Sequence, residues 1–379
     1  MLDFETLRVI WWLLLGTLLI GFAIMDGFDL GVAAIFRFAG KTDEERRALL
    51  ASIEPVWDGN QVWFILAGGA VFAAWPVLYA ASFSGLYLAM FLLLVALILR
   101  PVGFTYRNKL TDARWRDTWD WALLLGGAVP ALLFGVAIGN LFLGIPFHFD
   151  ELQRSVYTGS FLGLLHPYAL LTGLVSLFML VMHGCAYAAL KVGEPMSTRA
   201  ASVGRTAALA FCVAFVIAGS WVSVVMDGHH IVSGAGAMAS GNVTTQHVYV
   251  GQGVWLVNFD AHRILWMFPF TALLSALITW ALLGSVRLRS AAFVTSCLTQ
   301  AATILTAGSA LFPFLMPSST HPNEGLTIWN ASSSQKTLQI MLIAVIIFLP
   351  IVLAYTAWVF RVLRGRITLE EIQRHSGLY

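Results

Sequence analysis

An all-α integral membrane protein of about nine spanning helices is the fold that the sequence predicts, and three observations carry it. Of 379 residues, 59% are hydrophobic and only 11% charged, with a mean hydropathy of +0.79, against roughly 25% charged in an average soluble domain. The apolar residues come in runs long enough for helices that cross a hydrocarbon core about 30 Å thick, and far too long for the strands of a membrane barrel. Lys and Arg, finally, are distributed unevenly between alternate loops.

Taken in chain order, the predicted spans are residues 7–36, 60–75, 78–99, 119–143, 161–190, 206–226, 264–283, 291–316 and 337–362. The first begins beside Arg8 and the Trp11-Trp12 pair and stops before Arg37. It lacks a basic leader and a small-residue cleavage site, so it is expected to remain as a helix and not be removed as a signal. The second is short, and Pro76 alone separates it from the third, which implies a tight hairpin or a tilted helix. The third ends where Arg100-Pro101 follows, and the fourth carries Gly135 and Gly139, a spacing that lets a neighbouring helix approach closely. The fifth holds His166 and His183. The sixth leads into the longest loop, residues 227–263, whose order the sequence leaves open. The seventh, eighth and ninth hold no charged residue within their bounds until Arg361, followed by Arg364 and Arg366, closes the last.

Counting by side, the face of the N-terminus carries Arg8, Arg154, Arg263 and Lys336, and the opposite face carries the other eighteen of the 22 basic residues. Basic loops stay in the cytoplasm, so the N-terminus is expected outside and the C-terminus inside. The net charge of +2 comes from these short loops, with no basic block that could follow a phosphate backbone, and nucleic acid is not an expected partner. Cys185, Cys212 and Cys297 fall in separate spans without CxxC spacing and read as packing residues. Phosphate-binding GxxxxGK[ST], HExxH and GxSxG motifs are absent, which removes nucleotide-driven and hydrolytic chemistry.

Ionisable residues inside lipid are costly and therefore candidate functional groups. Here they are Asp26 and Asp29 in the first span, Glu54 and Asp58 at the entry to the second, Arg100 at the end of the third and His183 in the fifth. Asp26, Asp58 and Arg100 fall at similar depth near the basic face. Two readings follow. Partly desolvated carboxylates beside an arginine can take up protons from the cytoplasm and pass them inward. Alternatively, Asp58-x-x-Gln61 caps a helix, Asp26 and Asp29 satisfy neighbours, and Arg100 snorkels. A transporter would place polar residues on broken helices at the midplane, whereas these charges crowd at one face. His166 and His183 lie 17 residues apart, about 25 Å along one helix, too far to clamp a single haem; a His/Met pair drawn from the eleven Met stays open. Trp57, Trp63 and most other Trp lie near span ends, as an aromatic belt would.

Five blocks add a further expectation. Asp26-Gly27-Phe28-Asp29-Leu30-Gly31-Val32, Trp57-Asp58-Gly59-Asn60-Gln61-Val62-Trp63, Phe72-Ala73-Ala74-Trp75-Pro76, Arg100-Pro101-Val102-Gly103-Phe104 and Phe312-Pro313-Phe314-Leu315-Met316-Pro317-Ser318-Ser319 resemble subunit II of the cytochrome bd ubiquinol oxidases. The likeness runs from Trp11 to Leu378-Tyr379 and is weakest over residues 227–263. It implies two four-helix bundles, at residues 1–145 and 160–316, with a peripheral last helix at 337–362. It implies a haem-free subunit, not catalytic alone, that supports a partner subunit I holding haems b558, b595 and d, with ubiquinol as the electron donor. A small single-helix third subunit and membrane lipid are further partners, and the location is the bacterial cytoplasmic (inner) membrane. In the family, quinol is oxidised outside and oxygen reduced to water with cytoplasmic protons, building a membrane potential without pumping. Residue by residue, the resemblance makes Asp58 the proton-route carboxylate, with Asp29, Trp57 and Arg100 in the same polar cluster or in assembly, and Trp63 at an oxygen-access route. Related chains carry His where this one has Val56, and Glu54 supplies polarity there instead.

Overall fold

The computed structural model describes residues 2–234 and 246–374; the remainder of the 227–263 loop and the terminal Leu378-Tyr379 lie outside the described residues. Helix α1 (Phe4–Ala39) opens where the Asp3 carboxylate accepts the Thr6 N–H at 2.8 Å. Its 36 residues span about 54 Å at 1.5 Å per residue, well beyond the roughly 30 Å hydrocarbon core. The chain then forms α2 (Asp43–Ile53), an amphipathic helix outside the nine predicted spans. A capping box starts it, Thr42 accepting from Glu45 N–H while the Glu45 carboxylate accepts from Thr42 N–H. Its Ala48, Leu49, Leu50 and Ile53 are buried against Phe28, Phe36 and Leu123.

The next stretch differs from the predicted second and third spans. Helix α3 (Trp57–Ala74) and α4 (Pro76–Gly85) are bent by 117° at Trp75. A residue before proline is driven out of the helical region by the proline ring, and Trp75 takes φ −136°, ψ 70°. Helix α4 packs against the strand formed by Ser155–Tyr157 instead of starting a span. The return crossing is α5 (Tyr87–Tyr106), which begins nine residues later than position 78 and runs through Pro101. Proline costs the helix one hydrogen bond without ending it here, so Arg100 stands inside α5 rather than at its close.

Helix α6 (Ala113–Leu143) follows, capped by Asp112, then a short antiparallel hairpin, β1 (Phe147–Phe149) with β2 (Ser155–Tyr157). Helix α7 (Pro167–Lys191) starts at a proline, with the residues before it forming a separate helical turn. Helix α8 (Met196–Val224) leads to the hairpin β3 (Asp227–Ser233) and β4 (His247–Gln252), so the flanks of the long loop are ordered strands. After the single-turn α9 (Val257–Ala261) come α10 (Met267–Leu282) and α11 (Arg289–Leu311). Residues up to 316 leave the helix and become β5 (Phe314–Met316), paired with β6 (Leu326–Thr327), because Pro313 cannot continue α11. Helix α12 (Gln335–Val362) and the short α13 (Leu369–Arg374) end the described chain.

Among the described residues eight helices are long and apolar enough to cross a membrane, and the number is nine when the bent α3–α4 pair is counted as one span. The chain is a multi-pass membrane protein. Helix α1 touches α3, α6, α7, α8 and α11, while α7, α8, α10 and α11 pack among themselves. Close backbone contact draws these groups together: a Cβ on Gly31 would overlap the Leu180 carbonyl of α7, and one on Gly135 or Gly139 would overlap α7 at Thr172 and Ala169. The Gly135/Gly139 spacing therefore does what it predicts. Helix α12 is peripheral, with Leu338 its one buried residue.

Candidate functional site

Asp26 and Asp29 stand three residues apart on α1, on the face toward α3 and α5. Arg100 Nη2 of α5 lies 2.9 Å from Asp26 Oδ1, with both side chains fully buried. The Asp29 Oδ2 atom accepts a hydrogen bond of 2.8 Å from Asn60 Nδ2 of α3. Three helices thus contribute to one cluster in which two carboxylates face a single guanidinium.

The cluster is incompletely satisfied. Among the described residues Asp29 Oδ1, Arg100 Nε and Arg100 Nη1 are buried without a hydrogen-bond partner. A buried polar atom left unpaired costs on the order of 1–3 kcal/mol, so these atoms leave the cluster with hydrogen-bonding capacity to spare. With both carboxylates ionised, the three groups carry one negative charge too many, which one added proton cancels.

Asp58 is not part of that contact. It is the second residue of α3, the N-cap being Val56 without a side-chain cap, so the capping-box reading of Asp58 and Gln61 does not hold. It stands about 200° round the helix from Asn60, two residues on, and it is exposed. Glu54 closes α2, half-buried, and burial pushes its carboxyl above the usual range. Trp57 lies between α3 and α5 with its ring 6.1 Å from that of Phe104. Trp63, 7% exposed, lies against α1 at Gly21, where a Cβ would overlap the indole.

His183 is buried between α1 and α11. Its Nδ1 is 2.7 Å from Ser296 Oγ, its Nε2 is 2.8 Å from the Ile24 carbonyl, and its ring stacks on Phe293 at 5.0 Å. With both nitrogens engaged in the core, it offers no lone pair for iron in either a His/His or a His/Met arrangement. His166 is the N-cap of α7, its Nδ1 accepting the Tyr168 N–H at 3.2 Å. Among the described residues no group of three or more His, Cys, Asp or Glu is placed to hold a metal ion.

Sequence reasoning missed Asn60, although it lies inside a quoted block, because a neutral amide raises no alarm in an apolar span. It also missed a second buried charge network, where the helices meet α2. Asp120 of α6, fully buried, accepts from Arg46 Nη1 and Arg107 Nε, each at 2.5 Å. Arg107 and Arg116 reach on to Asp43 at 2.9 and 3.0 Å. Glu45 receives Arg199 on both oxygens, at 2.6 and 3.0 Å, and these bonds hold its carboxyl below the usual range. Tyr187 adds a neutral tie, its hydroxyl donating to the Ser52 carbonyl of α2 at 2.8 Å.

Comparison with known proteins agrees with this architecture. The family model for cytochrome bd terminal oxidase subunit II matches residues 7–363. The chain is 48% identical to cytochrome bd-I ubiquinol oxidase subunit 2 of Escherichia coli strain K12 over 99% of each chain. It is 30% identical to cytochrome bd ubiquinol oxidase subunit 2 of Bacillus subtilis, covering 97% of this chain and 98% of the relative. A chain of the solved bd oxidase from Geobacillus thermodenitrificans superposes with a TM-score of 0.69 at 16% identity, over 94% of this chain and 98% of that one, a likeness of fold.

Proposed function

Because this chain belongs to the cytochrome bd terminal oxidase subunit II family, we propose that it works as the haem-free subunit of its quinol oxidase, carrying protons to the oxygen-reducing site of a partner. Membership makes it subunit II of a cytochrome bd-type quinol oxidase, a transmembrane component of a respiratory chain. In this reading the partner subunit I holds haems b558, b595 and d, which supply the electron-transfer and oxygen-binding chemistry. Ubiquinol gives its electrons on the outer side, and each oxygen molecule takes four electrons and four protons to give two waters. Protons drawn from the cytoplasm build a membrane potential without pumping. The complex resides in the bacterial cytoplasmic membrane, N-terminus outside, with the two helix groups at residues 1–145 and 160–316 as separate bundles and a small single-helix subunit as a further companion.

One observation carries the proton role: a buried cluster of two carboxylates and one arginine with unfilled hydrogen-bonding capacity. Asp29 Oδ1 is the atom that takes and releases the proton, Asn60 orients Asp29, and Arg100 pairs with Asp26 beside it. Exposed Asp58 collects protons, and Glu54, raised by burial, serves the mouth beside Val56. Water bridges Asp58 to the cluster, since the two stand on different faces of α3. Trp63, packed on Gly21, lines an oxygen route, and Trp57 steadies the cluster. His183, with both nitrogens engaged, supports the haem-free assignment. The exposed face of α3, where Gly68 and Gly69 leave open space, fits close docking of a partner helix.

The test is made on the chain purified with its partner. The haem spectrum and quinol-dependent oxygen uptake should both be present, and Asp58→Asn should slow uptake severalfold with the haems retained. Unchanged turnover in that variant would leave the chain only a supporting role.

A further inference from the structure

A notch of about 270 Å³ opens at the surface between α8 and α10, lined by Ser202, Arg205, Thr206, Leu209 and Trp280. It has room for several waters, each taking about 30 Å³ of liquid. Its depth follows from the sequence of α8. Arg205 stands nine residues into a helix that starts at Met196, and no charged residue follows until Asp227. Arg205 is therefore the last charge before the hydrocarbon, at the head-group boundary of the leaflet on the arginine-rich face. Trp280, two residues before the end of α10, lies at the same boundary.

Charge pairing separates Arg205 from the arginines that acids tie into the fold. Arg37, Arg46, Arg47, Arg100, Arg107, Arg116, Arg199 and Arg289 each meet a carboxylate. Among the described residues Arg205 meets none; its guanidinium lies 4.8 Å from the centre of the Trp280 ring. Its Nε is buried and has no hydrogen-bond partner. An arginine at this depth without a counter-charge is costly, and its fork of N–H donors matches a phosphate. Ser202, one turn away on the same exposed face, adds a hydroxyl donor, while Thr206 spends its own on the Ser202 carbonyl at 3.4 Å. Leu209, 43% exposed, continues the notch along the helix toward the hydrocarbon.

We propose that this notch binds the phosphate of an acidic membrane phospholipid, Arg205 and Ser202 holding the oxyanion, Trp280 fixing the guanidinium plane and an acyl chain lying along Leu209. The anion is assigned to the bilayer because the notch lies between two spanning helices and its far end, at Leu209, is apolar and exposed.

The test uses the intact complex in nanodiscs of phosphatidylcholine with a minority of phosphatidylglycerol. Bound phosphatidylglycerol is counted by native mass spectrometry after release into detergent. Arg205→Gln should lower the apparent affinity of one site about fivefold, the scale of one basic residue near the surface, and Arg205→Lys should recover part of it. Arg287→Gln should leave the count unchanged. Equal phosphatidylglycerol retention in wild type and Arg205→Gln would overturn the proposal. So would displacement of the lipid by millimolar inorganic phosphate, which would mark a site for free anion.

Discussion

Two groups of buried charge in this molecule are built on opposite principles. Around Asp120, one carboxylate serves Arg46 and Arg107, and Asp43 collects the remaining reach of Arg107 with Arg116. Around Asp29, two carboxylates share one guanidinium, and polar atoms on both Asp29 and Arg100 are left over. The first group is tied on every side and fastens α2 to α5 and α6. The second holds back hydrogen-bonding capacity on Asp29 and Arg100.

The sharpest way to break the contrast is to remove the tied carboxylate. Asp120→Ala leaves Arg107, 1% exposed, without its main partner, a loss worth about 3–5 kcal/mol for a broken buried pair. Thermal unfolding of the purified complex should shift accordingly, and an unchanged transition would deny the network a structural role. Asp29→Asn should do the reverse. It keeps the shape and the hydrogen bond from Asn60, so the unfolding transition should hold, while oxygen uptake falls at least tenfold, about 1.4 kcal/mol in barrier. A variant with full turnover would remove Asp29 from the route.

A smaller effect separates the groups by pH. The Glu45 carboxyl lies below its ordinary value because Arg199 bonds to its charged form. Its contribution is complete above the ordinary value near 4.5 and is lost as pH falls through the lower folded value. The partly exposed pair contributes about 1 kcal/mol or less, and Arg199→Gln should flatten that part of the acid profile. Smallest of all, Asp58→Asn should move stability by less than about 0.5 kcal/mol, since the side chain is exposed and caps nothing. A larger shift would tie Asp58 to the fold and not to the flow of protons.

Much of this was legible in the residues. Crossing number follows from the length of apolar runs, and Gly135 and Gly139 announced a close contact that is present. The depth argument brought Asp26 and Arg100 together correctly, because both positions are fixed by helix rise. Rotation round the helix axis was harder to read: Asp58 and Asn60 differ by two residues, and which of them faces α1 depends on packing. Hydropathy windows also hide whatever lies at their edges. Asp120 falls at the margin of a span, and α2, announced by Thr42 and Glu45, is too polar to register as one. The bend at Trp75 had a visible cause in Pro76, yet its size depends on the hairpin against which α4 rests.

The pairing of arginines with acids on the α2 side has a meaning in time as well as in space. While a chain is being inserted, Lys and Arg near the ends of its apolar segments determine which loops stay behind, and acidic residues count for little. Arg37, Arg46, Arg107, Arg116 and Arg199 are then bare charges acting one by one. Once the helices gather, the same groups find Asp117, Asp120, Asp43 and Glu45 and become fasteners. One set of residues thus places positive charge at the ends of apolar segments and joins the helices through acids, so replacing an acidic partner removes a fastener and keeps the charge, whereas replacing its arginine removes both.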